Sequence, residues 1–320
     1  MSWFERLMGF AETSAEDVRS NIVLDGEYMR SLRNGRRFRH GHLEVPSLAE
    51  LRTHSTVRRG RTRIRQIVAD VSALHTDPTN RGALFQVASQ FNLLEMVHPN
   101  RTPEHGVGGY EHDHTQGPAC AIAAGAGTIY RNYFVSLDGQ TGQTASKQID
   151  CLAGVGALLG NSANRLWTMQ NGYALASEQG LREIASRLAS SERDHLRATL
   201  RVGLQRETQV TIDGCEHAVS QIYGSALPVA YSQHPASLWE PFARLVLEAS
   251  YEATLCAAVR EGNNSVYLTL LGGGAFGNAA SWIVDAMERA LRLHEDSGLE
   301  VVVVNFRELR PDVDTMIKRL

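Results

Sequence analysis

The segment that most constrains the fold lies near the carboxyl end of the chain, where an apolar run at residues 266–271 leads directly into three glycines at residues 272–274. A helical pattern over residues 281–294 follows, and a second apolar run occupies residues 301–306. Continuous apolar runs of this length are typical of strands inside a sheet. The order of strand, glycine turn, helix and strand predicts an α/β fold with the turn at the carboxyl end of a central strand.

The same alternation begins upstream. Residues 83–89 show the pattern of a buried strand, residues 117–131 predict a helix that starts near a proline, and residues 239–259 carry the apolar stripe of a long helix. Residues 225–230 are a further short strand candidate, with a proline that is unfavourable in a sheet interior. These patterns predict a sheet flanked by helices.

The remaining segments suggest how the chain is divided. An amphipathic start followed by a polar stretch predicts an N-terminal extension at residues 1–60, wrapped on a main α/β domain at residues 61–320. A helical insert is predicted at about residues 147–215, and residues 147–190 are expected to be mainly helical.

Arginines recur at residues 58–65, and Arg61, Arg63 and Arg65 would share one face if this segment were a strand. Such a stripe suits either a charged edge strand or a surface that contacts phosphates. The net charge of the 320-residue chain is −3, which argues against an overall attraction to nucleic acid or an anionic membrane. Nucleic acid is therefore not the expected partner.

Cysteine usage and hydropathy bear on the compartment. The four cysteines are far apart and form no Cys-x-x-Cys pair, so neither a zinc ribbon nor a disulfide framework is predicted. The chain starts without the pattern of a signal peptide, and no apolar run is long enough to cross a bilayer. A cytoplasmic protein without membrane contact is expected.

The glycine turn has the composition of a phosphate-binding loop. Glycines let the main chain approach a phosphate closely, and an aromatic residue among them could cover a ribose or a base. A turn that merely joins a strand to a helix remains the alternative, because the sequence matches neither a Walker A loop nor a GxGxxG fingerprint. The candidate ligand-binding residues are Gly272, Gly273, Gly274, Ala275, Phe276, Gly277 and Asn278.

Polar residues also crowd the loop before the helix at residue 117. Glu111 and Asp113 could act as a base or orient a water or a ribose hydroxyl, and Thr115 and Gln116 follow them at the helix start. Capping of the helix in solvent is the competing interpretation for the two acidic residues. Asn92, just past the predicted strand at residues 83–89, has a carboxamide that suits two ribose hydroxyls, or a turn.

Histidines 98, 105, 112 and 114 lie around the same loop. Their spacing matches no standard zinc site, so solvated or hydrogen-bonded loop histidines are expected. No metal and no cofactor is predicted.

Together these three stretches resemble the macrodomain superfamily, and within it the poly(ADP-ribose) glycohydrolase-like branch. The most specific match is residues 270–278, which look like the diphosphate-binding loop, with Phe276 as the aromatic beside the ribose. The resemblance implies a macrodomain-like mixed sheet flanked by helices. It implies that ADP-ribose or an ADP-ribosylated substrate is the partner, and that nucleic acid enters only as such a substrate.

One departure affects the expected chemistry. The glycohydrolases carry two adjacent glutamates after the glutamine, and the second protonates the leaving group, whereas Gly117 and Pro118 follow Gln116 here. A catalytic carboxylate would then come from Asp113 or Glu111, with Glu95 and Glu104 also nearby. The resemblance implies a hydrolase that removes ADP-ribose from a modified target. The alternative is a non-catalytic reader or sensor of ADP-ribose or another NAD-derived nucleotide.

Overall fold

The computed structural model of this chain describes residues 1–53, 60–190 and 193–320. These residues form twelve α-helices and fourteen strands. In chain order the helices are α1 (Trp3–Met8), α2 (Ala15–Asn21), α3 (Leu48–Arg52), α4 (Val71–Thr76), α5 (Gln116–Ala123), α6 (Gly125–Tyr133), α7 (Ala153–Leu158), α8 (Glu178–Ser190), α9 (Arg193–Thr199), α10 (Ala236–Glu261), α11 (Ala280–Leu293) and α12 (Pro311–Arg319). The strands are β1 (Ile22–Asp25), β2 (Tyr28–Ser31), β3 (Arg37–Arg39), β4 (His42–Glu44), β5 (Arg63–Val68), β6 (Leu84–Ala88), β7 (Ser136–Leu137), β8 (Gln140–Thr141), β9 (Trp167–Gln170), β10 (Tyr173–Ala176), β11 (Gly203–Gln209), β12 (Ala218–Gly224), β13 (Ser265–Leu268) and β14 (Glu300–Asn305).

Seven strands make one mixed sheet in the order β4-β11-β12-β6-β13-β14-β5. The five strands from β12 to β5 run parallel, whereas β11 is antiparallel to both of its neighbours. The strands β6, β13 and β14 lie in the interior and carry nearly continuous apolar residues, as expected for parallel strands covered on both faces. The predicted α/β class, a mixed sheet flanked by helices, is confirmed.

Alternation along β6 shows how the two faces of the sheet are covered. Phe85 stacks on Tyr267 of the neighbouring strand at 4.6 Å and on His75 of α4 at 3.9 Å between ring centroids. The next residue, Gln86, points to the opposite face and donates from Nε2 to Thr254 Oγ1 of α10 at 2.8 Å. Helices α4 and α5 therefore cover one face of the sheet, and α10 and α11 cover the other.

The extension contributes to both a small sheet and the main one. Strands β1, β2 and β3 form an antiparallel sheet of their own, and β4 is the edge strand of the main sheet beside β11. Helix α1 packs its apolar side inward, and the indole Nε1 of Trp3 donates to the carbonyl of Val107 at 2.9 Å. The main sheet thus draws strands from the extension and from the end of the predicted insert as well as from the α/β domain.

Most long elements agree with the sequence-based predictions. The strand at residues 83–89, the long helix, the helix at residues 281–294 and the strand at residues 301–306 are confirmed with small shifts of their ends. The helix predicted at residues 117–131 is divided at Ala124, whose φ of −113° and ψ of 55° are not helical.

Two secondary-structure predictions are wrong. Residues 225–230 are not a strand, because the strand of that region is β12, which ends at Gly224 before the proline. Residues 147–190 are not mainly helical, because Trp167–Gln170 and Tyr173–Ala176 form the β-hairpin β9–β10. Asn171, with φ of 46°, and Gly172, with φ of 82°, make its two-residue turn, and positive φ at both positions is typical of tight hairpins.

Part of the arginine-rich segment at residues 58–65 lies within the described residues. Arg63 and Arg65 lie on β5, which is an edge strand paired only with β14 among the described residues. Arg63 pairs with Glu300 at 3.1 Å, and Arg61 donates to the carbonyl of Leu320 at 3.4 Å. Arg58 and Arg59 lie outside the described residues. In the part of the chain that is described, no helix is both long and apolar enough to cross a membrane.

Candidate functional site

A cleft opens at the carboxyl ends of β6, β12 and β13, the end of a parallel sheet where ligands bind in α/β proteins. The open volume inside it, including solvent at its mouth, is about 780 Å³. Four loops meet there with a residue of the β9–β10 hairpin. The lining residues are Ala88, Ser89, Gln90, Glu95, Met96, Val97, Asp113, Thr115, Gln116, Gly117, Tyr173, Ala226, Tyr231, Thr269, Leu270, Gly272, Gly274, Ala275 and Phe276.

The glycine turn follows β13 and forms one wall of the cleft. Gly272 has φ of +71°, and a β-carbon there would lie 2.4 Å from the β-carbon of Ala226, so glycine is required at this position. Gly274 has open space around it, with no atom within 4 Å of a β-carbon built on it. The backbone N–H groups of Gly274, Ala275 and Phe276 donate to no acceptor within the described residues. Three successive free N–H groups on a cleft wall are available to an anion.

Asn278 closes the turn rather than lining the cleft. Its backbone N–H donates to the carbonyl of Gly272 at 2.9 Å. Its side-chain Nδ2 donates to the carbonyl of Leu227 at 2.8 Å and to that of Gly272 at 3.3 Å. Asn278 therefore fixes the shape of the turn and ties it to the loop after β12. Gly277, with φ of +69°, and Gly273 also lie outside the lining residues.

Three aromatic rings surround the end of the glycine turn. Phe276 lies 5.3 Å from Tyr173 and 5.7 Å from Tyr231 between ring centroids, and the two tyrosine rings are 5.2 Å apart. Tyr173 reaches the cleft from the hairpin, and its hydroxyl donates to the carbonyl of Met96. Phe276 was predictable from the sequence, whereas Tyr173 and Tyr231 were not, because no local pattern shows that the hairpin folds over the cleft.

The first turn of α5 forms the opposite wall. Thr115, the residue before the helix, and Gln116 both line the cleft. The Gln116 side chain accepts from the N–H of Ala88 at 3.2 Å and donates to the carbonyl of Gln86 at 3.0 Å. Gln116 therefore anchors the helix start to the end of β6.

The structure separates the two acidic residues predicted in the preceding loop. Asp113 lines the cleft, and its Oδ1 accepts from the N–H of Thr115 at 2.9 Å. Glu111 is not among the lining residues, because its Oε2 accepts from the N–H of Trp3 at 3.1 Å and pairs with Arg6 at 3.1 Å. Glu111 holds helix α1, whereas Asp113 faces the site.

Asn92 is also outside the cleft lining. It is fully buried, its Nδ2 donates to Gln148 Oε1 at 2.8 Å, and its Oδ1 accepts from the N–H of Leu94 at 3.1 Å. A β-carbon at Gly172, in the hairpin turn, would lie 2.6 Å from Asn92 Oδ1. The carboxamide of Asn92 therefore joins the loop after β6 to the hairpin, and the structure does not bring it to the other candidate residues.

Glu95 is the acidic residue at the bottom of the cleft. Its residue surface is 6% exposed, and its side chain forms no hydrogen bond within the described residues. Burial raises the pKa of this carboxyl group well above its ordinary value, the charge of Arg131 acts in the opposite direction, and the charge of Asp113 raises the pKa further. Burial therefore favours the protonated, uncharged form of Glu95. The signal in the sequence was a lone ionisable residue between the apolar pairs at residues 93–94 and 96–97.

Two of the four loop histidines form local hydrogen bonds. The Nδ1 atom of His98 accepts from the N–H of Asn100 at 3.1 Å, and the Nδ1 atom of His105 accepts from the N–H of Thr102 at 3.1 Å. Glu104, the fourth acidic residue near the loop, accepts from the N–H of Ala145 at 2.8 Å and does not line the cleft. Across residues 1–53, 60–190 and 193–320, no three His, Cys, Asp or Glu side chains converge as a metal site.

No protein-family model matches this sequence, and no curated protein matches it in a sequence comparison. Among solved structures, poly(ADP-ribose) glycohydrolase from Deinococcus radiodurans in complex with ADP-ribose aligns with a TM-score of 0.49 and 14% identity, over 87% of this chain and 92% of that one. The glycohydrolase from Thermomonospora curvata aligns with a TM-score of 0.48 and 12% identity, over 95% of each chain. Its complex with the inhibitor ADP-HPD aligns with a TM-score of 0.47 and 14% identity, over 96% of this chain and 97% of that one.

Proposed function

We propose that the cleft binds ADP-ribose and that the protein hydrolyses the bond between ADP-ribose and a modified target. The observation that carries this proposal is the meeting of two features in one cleft. Free backbone N–H groups of Gly274, Ala275 and Phe276 lie on one wall, and the buried carboxyl group of Glu95, whose pKa is raised, lies at the bottom. The first feature suits a phosphate, and the second suits acid catalysis.

The diphosphate is assigned to the glycine turn. No lysine or arginine lines the cleft within the described residues, so recognition of the anion depends on backbone N–H groups. Gly274 leaves the space beside its α-carbon open, which lets a phosphate oxygen approach the N–H groups without obstruction from a side chain. This arrangement supports an anion held by main-chain dipoles and explains why a loop without basic residues can serve it.

The aromatic group of Tyr173, Tyr231 and Phe276 supports a ligand with a ring system attached to the phosphates. Aromatic side chains stack on nucleobases and cover ribose faces, and each stacked base contributes about 1–3 kcal/mol. Because these rings adjoin the end of the glycine turn, a nucleoside diphosphate would meet both features at once.

The carboxyl groups favour hydrolysis over simple recognition. Asp113 and Glu95 both line the cleft, and the charge of the first raises the pKa of the second. Two carboxyl groups in one site, one of them with a raised pKa, are typical of enzymes that cleave bonds at an anomeric carbon. A binding module has no need for a buried acid with an unused hydrogen-bonding capacity, because burial of such a group destabilises the fold. The non-catalytic reader is therefore the second candidate.

The test measures binding and turnover separately. Calorimetry with ADP-ribose, ADP and ribose 5-phosphate gives affinities, and we expect ADP-ribose to bind with a Kd of about 1 μM, or roughly −8 kcal/mol. Incubation with an ADP-ribosylated peptide, followed by chromatography, measures released ADP-ribose. Release at a rate proportional to protein concentration supports the hydrolase. Binding without release would identify a reader, and the absence of both binding and release would contradict the proposed function.

A further inference from the structure

We propose that Glu95 is the catalytic acid of the cleft and that it serves O-glycosidic bonds between ADP-ribose and an aliphatic hydroxyl group. This inference rests on the proposed function and assigns its chemistry to one residue. Three observations carry it: the position of the side chain, its missing hydrogen bonds and the chemistry of the bond to be cleaved.

The position of the carboxyl group depends on the helix start opposite. Glu95 lies against the first turn of α5, where a β-carbon at Gly117 would be 2.5 Å from Glu95 Oε2 and 2.4 Å from the carbonyl oxygen of Ala88. Only glycine leaves room for this arrangement. The positions after Gln116, where the resemblance leads one to expect glutamates, therefore present no carboxylate, and the carboxyl group of Glu95 fills the space beside them.

The hydrogen-bonding state of Glu95 leaves its acid group unused by the protein. Oε1 is buried and has no hydrogen-bond partner within the described residues, and only the backbone N–H of Glu95 is bonded, to the hydroxyl of Tyr110 at 3.0 Å. Buried polar atoms nearly always have a hydrogen-bond partner. An unpaired polar atom in a cleft therefore indicates a group whose hydrogen bond is made to a ligand or to water. Among the described residues, Arg131 forms no ion pair with Glu95 within 4 Å, although its charge lowers the pKa of the carboxyl group.

Burial favours the protonation state that the reaction needs. Removal from water and the nearby charge of Asp113 raise the pKa of Glu95, while the charge of Arg131 lowers it. The acid form of Glu95 therefore persists to a higher pH than the acid form of an exposed glutamate. Asp113 is the other cleft carboxyl group, and its position places it among the groups that can direct water.

The reaction balances with water as the only co-reactant. The carboxylic proton of Glu95 passes to the bridging oxygen as the bond from that oxygen to the anomeric carbon breaks, and the target leaves as an alcohol. Water adds to the anomeric carbon, which has oxocarbenium character, and forms the new C–O bond. The proton lost by that water returns to the Glu95 carboxylate, so that ADP-ribose and the free hydroxyl are released and the acid is restored.

Leaving-group chemistry determines the substrate class. An aliphatic alkoxide is a poor leaving group, so an acid that protonates it lowers the barrier greatly. A 4-nitrophenyl leaving group departs as a stable anion and gains little from the acid. Cleavage of a serine-linked ADP-ribosyl peptide should therefore depend on Glu95, whereas cleavage of 4-nitrophenyl ADP-ribose should not.

The experiment compares Glu95→Gln, Glu95→Asp and the surface control Glu16→Gln on both probes in the full chain. We expect Glu95→Gln to reduce kcat on the serine-linked peptide by about 10²–10⁴-fold and on the nitrophenyl probe by less than about tenfold. Affinity for ADP-ribose, measured by calorimetry, should stay within about threefold and also shows that the variant is folded. Glu95→Asp retains an acid, so we expect it to keep part of the activity. Its kcat should still decline at high pH, whereas the residual kcat of Glu95→Gln should show no such decline.

Each alternative result has a distinct meaning. If the natural protein cleaves neither probe, the proposed function and this inference both fail. If the natural protein is active and Glu95→Gln cleaves the serine-linked peptide at an undiminished rate, the proposed function stands and the assignment of Glu95 is overturned. An equal loss on both probes would also overturn the assignment, because it would indicate a defect in binding or folding rather than in proton donation.

Discussion

The carboxyl group of Glu95 and the α-carbon of Gly117 are close enough to exclude any side chain at residue 117. A β-carbon there would lie 2.5 Å from Glu95 Oε2 and 2.4 Å from the backbone oxygen of Ala88. The backbone oxygen cannot move without displacing β6, so the contact is not relieved by a change of side-chain rotamer. One glycine therefore sets both the packing of α5 on β6 and the room available to the buried acid.

Gly117→Ala should consequently destabilise the protein, although alanine is the better helix former. We expect the free energy of unfolding to fall by about 1–3 kcal/mol, as for other overpacked sites. Denaturant unfolding measures this change, and Gly274→Ala, which adds a β-carbon in open space, is the control. Equal stability of Gly117→Ala and the natural protein would show that the contact around Glu95 is looser than the structure indicates.

The glycine turn can be tested with a charged side chain. Gly274→Glu places bulk and negative charge on the wall assigned to the diphosphate, so ADP-ribose binding should be lost in calorimetry. The melting temperature should stay within a few degrees, because no atom lies within 4 Å of the added β-carbon. Gly109→Glu has equally open surroundings and lies outside the cleft lining, so it should bind normally. Retained binding in Gly274→Glu would refute the phosphate assignment.

Removal of the Phe276 ring should weaken ligand binding and leave the stability of the fold largely unchanged. Phe276→Ala deletes one member of the aromatic group with Tyr173 and Tyr231, and we expect affinity for ADP-ribose to fall about tenfold, within the 1–3 kcal/mol of a stacked base. Binding of inorganic pyrophosphate should change little. Phe306→Ala, at a ring that is 68% exposed and outside the cleft lining, is the matched control. If Phe276→Ala lost affinity equally for ADP-ribose and for pyrophosphate, stacking of the ring on the ligand would be contradicted.

The raised pKa of Glu95 links stability to pH. Between the ordinary value of 4.5 and the raised value in the folded protein, the unfolded chain has released this proton and the folded chain has not, so the unfolded state gains from each increase in pH. Glu95 therefore lowers the free energy of unfolding progressively as pH rises above about 4.5. Glu95→Gln removes this loss.

The measurement compares denaturant unfolding of Glu95→Gln and the natural protein from pH 4.5 to pH 8. We expect the stability of the variant relative to the natural protein to increase with pH over this range. Glu16→Gln, at an exposed residue, should show a constant difference. A difference for Glu95→Gln that is also independent of pH would contradict the raised pKa.

The Glu12 carboxylate is one of the groups that tie the extension to the segment before Asp113. Glu12 accepts from the N–H of Val107 at 2.9 Å, from the N–H of Gly108 at 2.6 Å and from the hydroxyl of Tyr133 at 2.6 Å. Glu12→Gln replaces one accepting oxygen by an NH₂ group that faces a donor, so stability should fall by about 1.5–3 kcal/mol. Glu16→Gln serves as the control in the same unfolding experiment. Unchanged stability would mean that this contact contributes nothing to the docking of the extension.

Some features followed from the sequence because they are local. The continuous apolar composition of the segments that form β6 and β14 indicates interior strands, and Gly272 and Gly277 allow the positive φ angles of the turn after β13. For the same reason the class of the fold, the cleft at the glycine turn and the places of Phe276, Thr115 and Gln116 were predictable. The hairpin β9–β10 was not, because its short strands lie within a region whose composition equally suits helices.

The roles of individual polar residues were decided only by tertiary structure, because their partners are distant in the sequence. Asn92 is hydrogen-bonded to Gln148, and Glu111 is bonded to the N–H of Trp3 and paired with Arg6. Neither side chain therefore faces the cleft. Glu95 has no such partner within the described residues, and packing buries it opposite a glycine. The sequence by itself determined where the glycine turn lies. Only the folded chain determined which carboxyl group is dehydrated beside it, because burial, unlike a turn, is a property of several segments together.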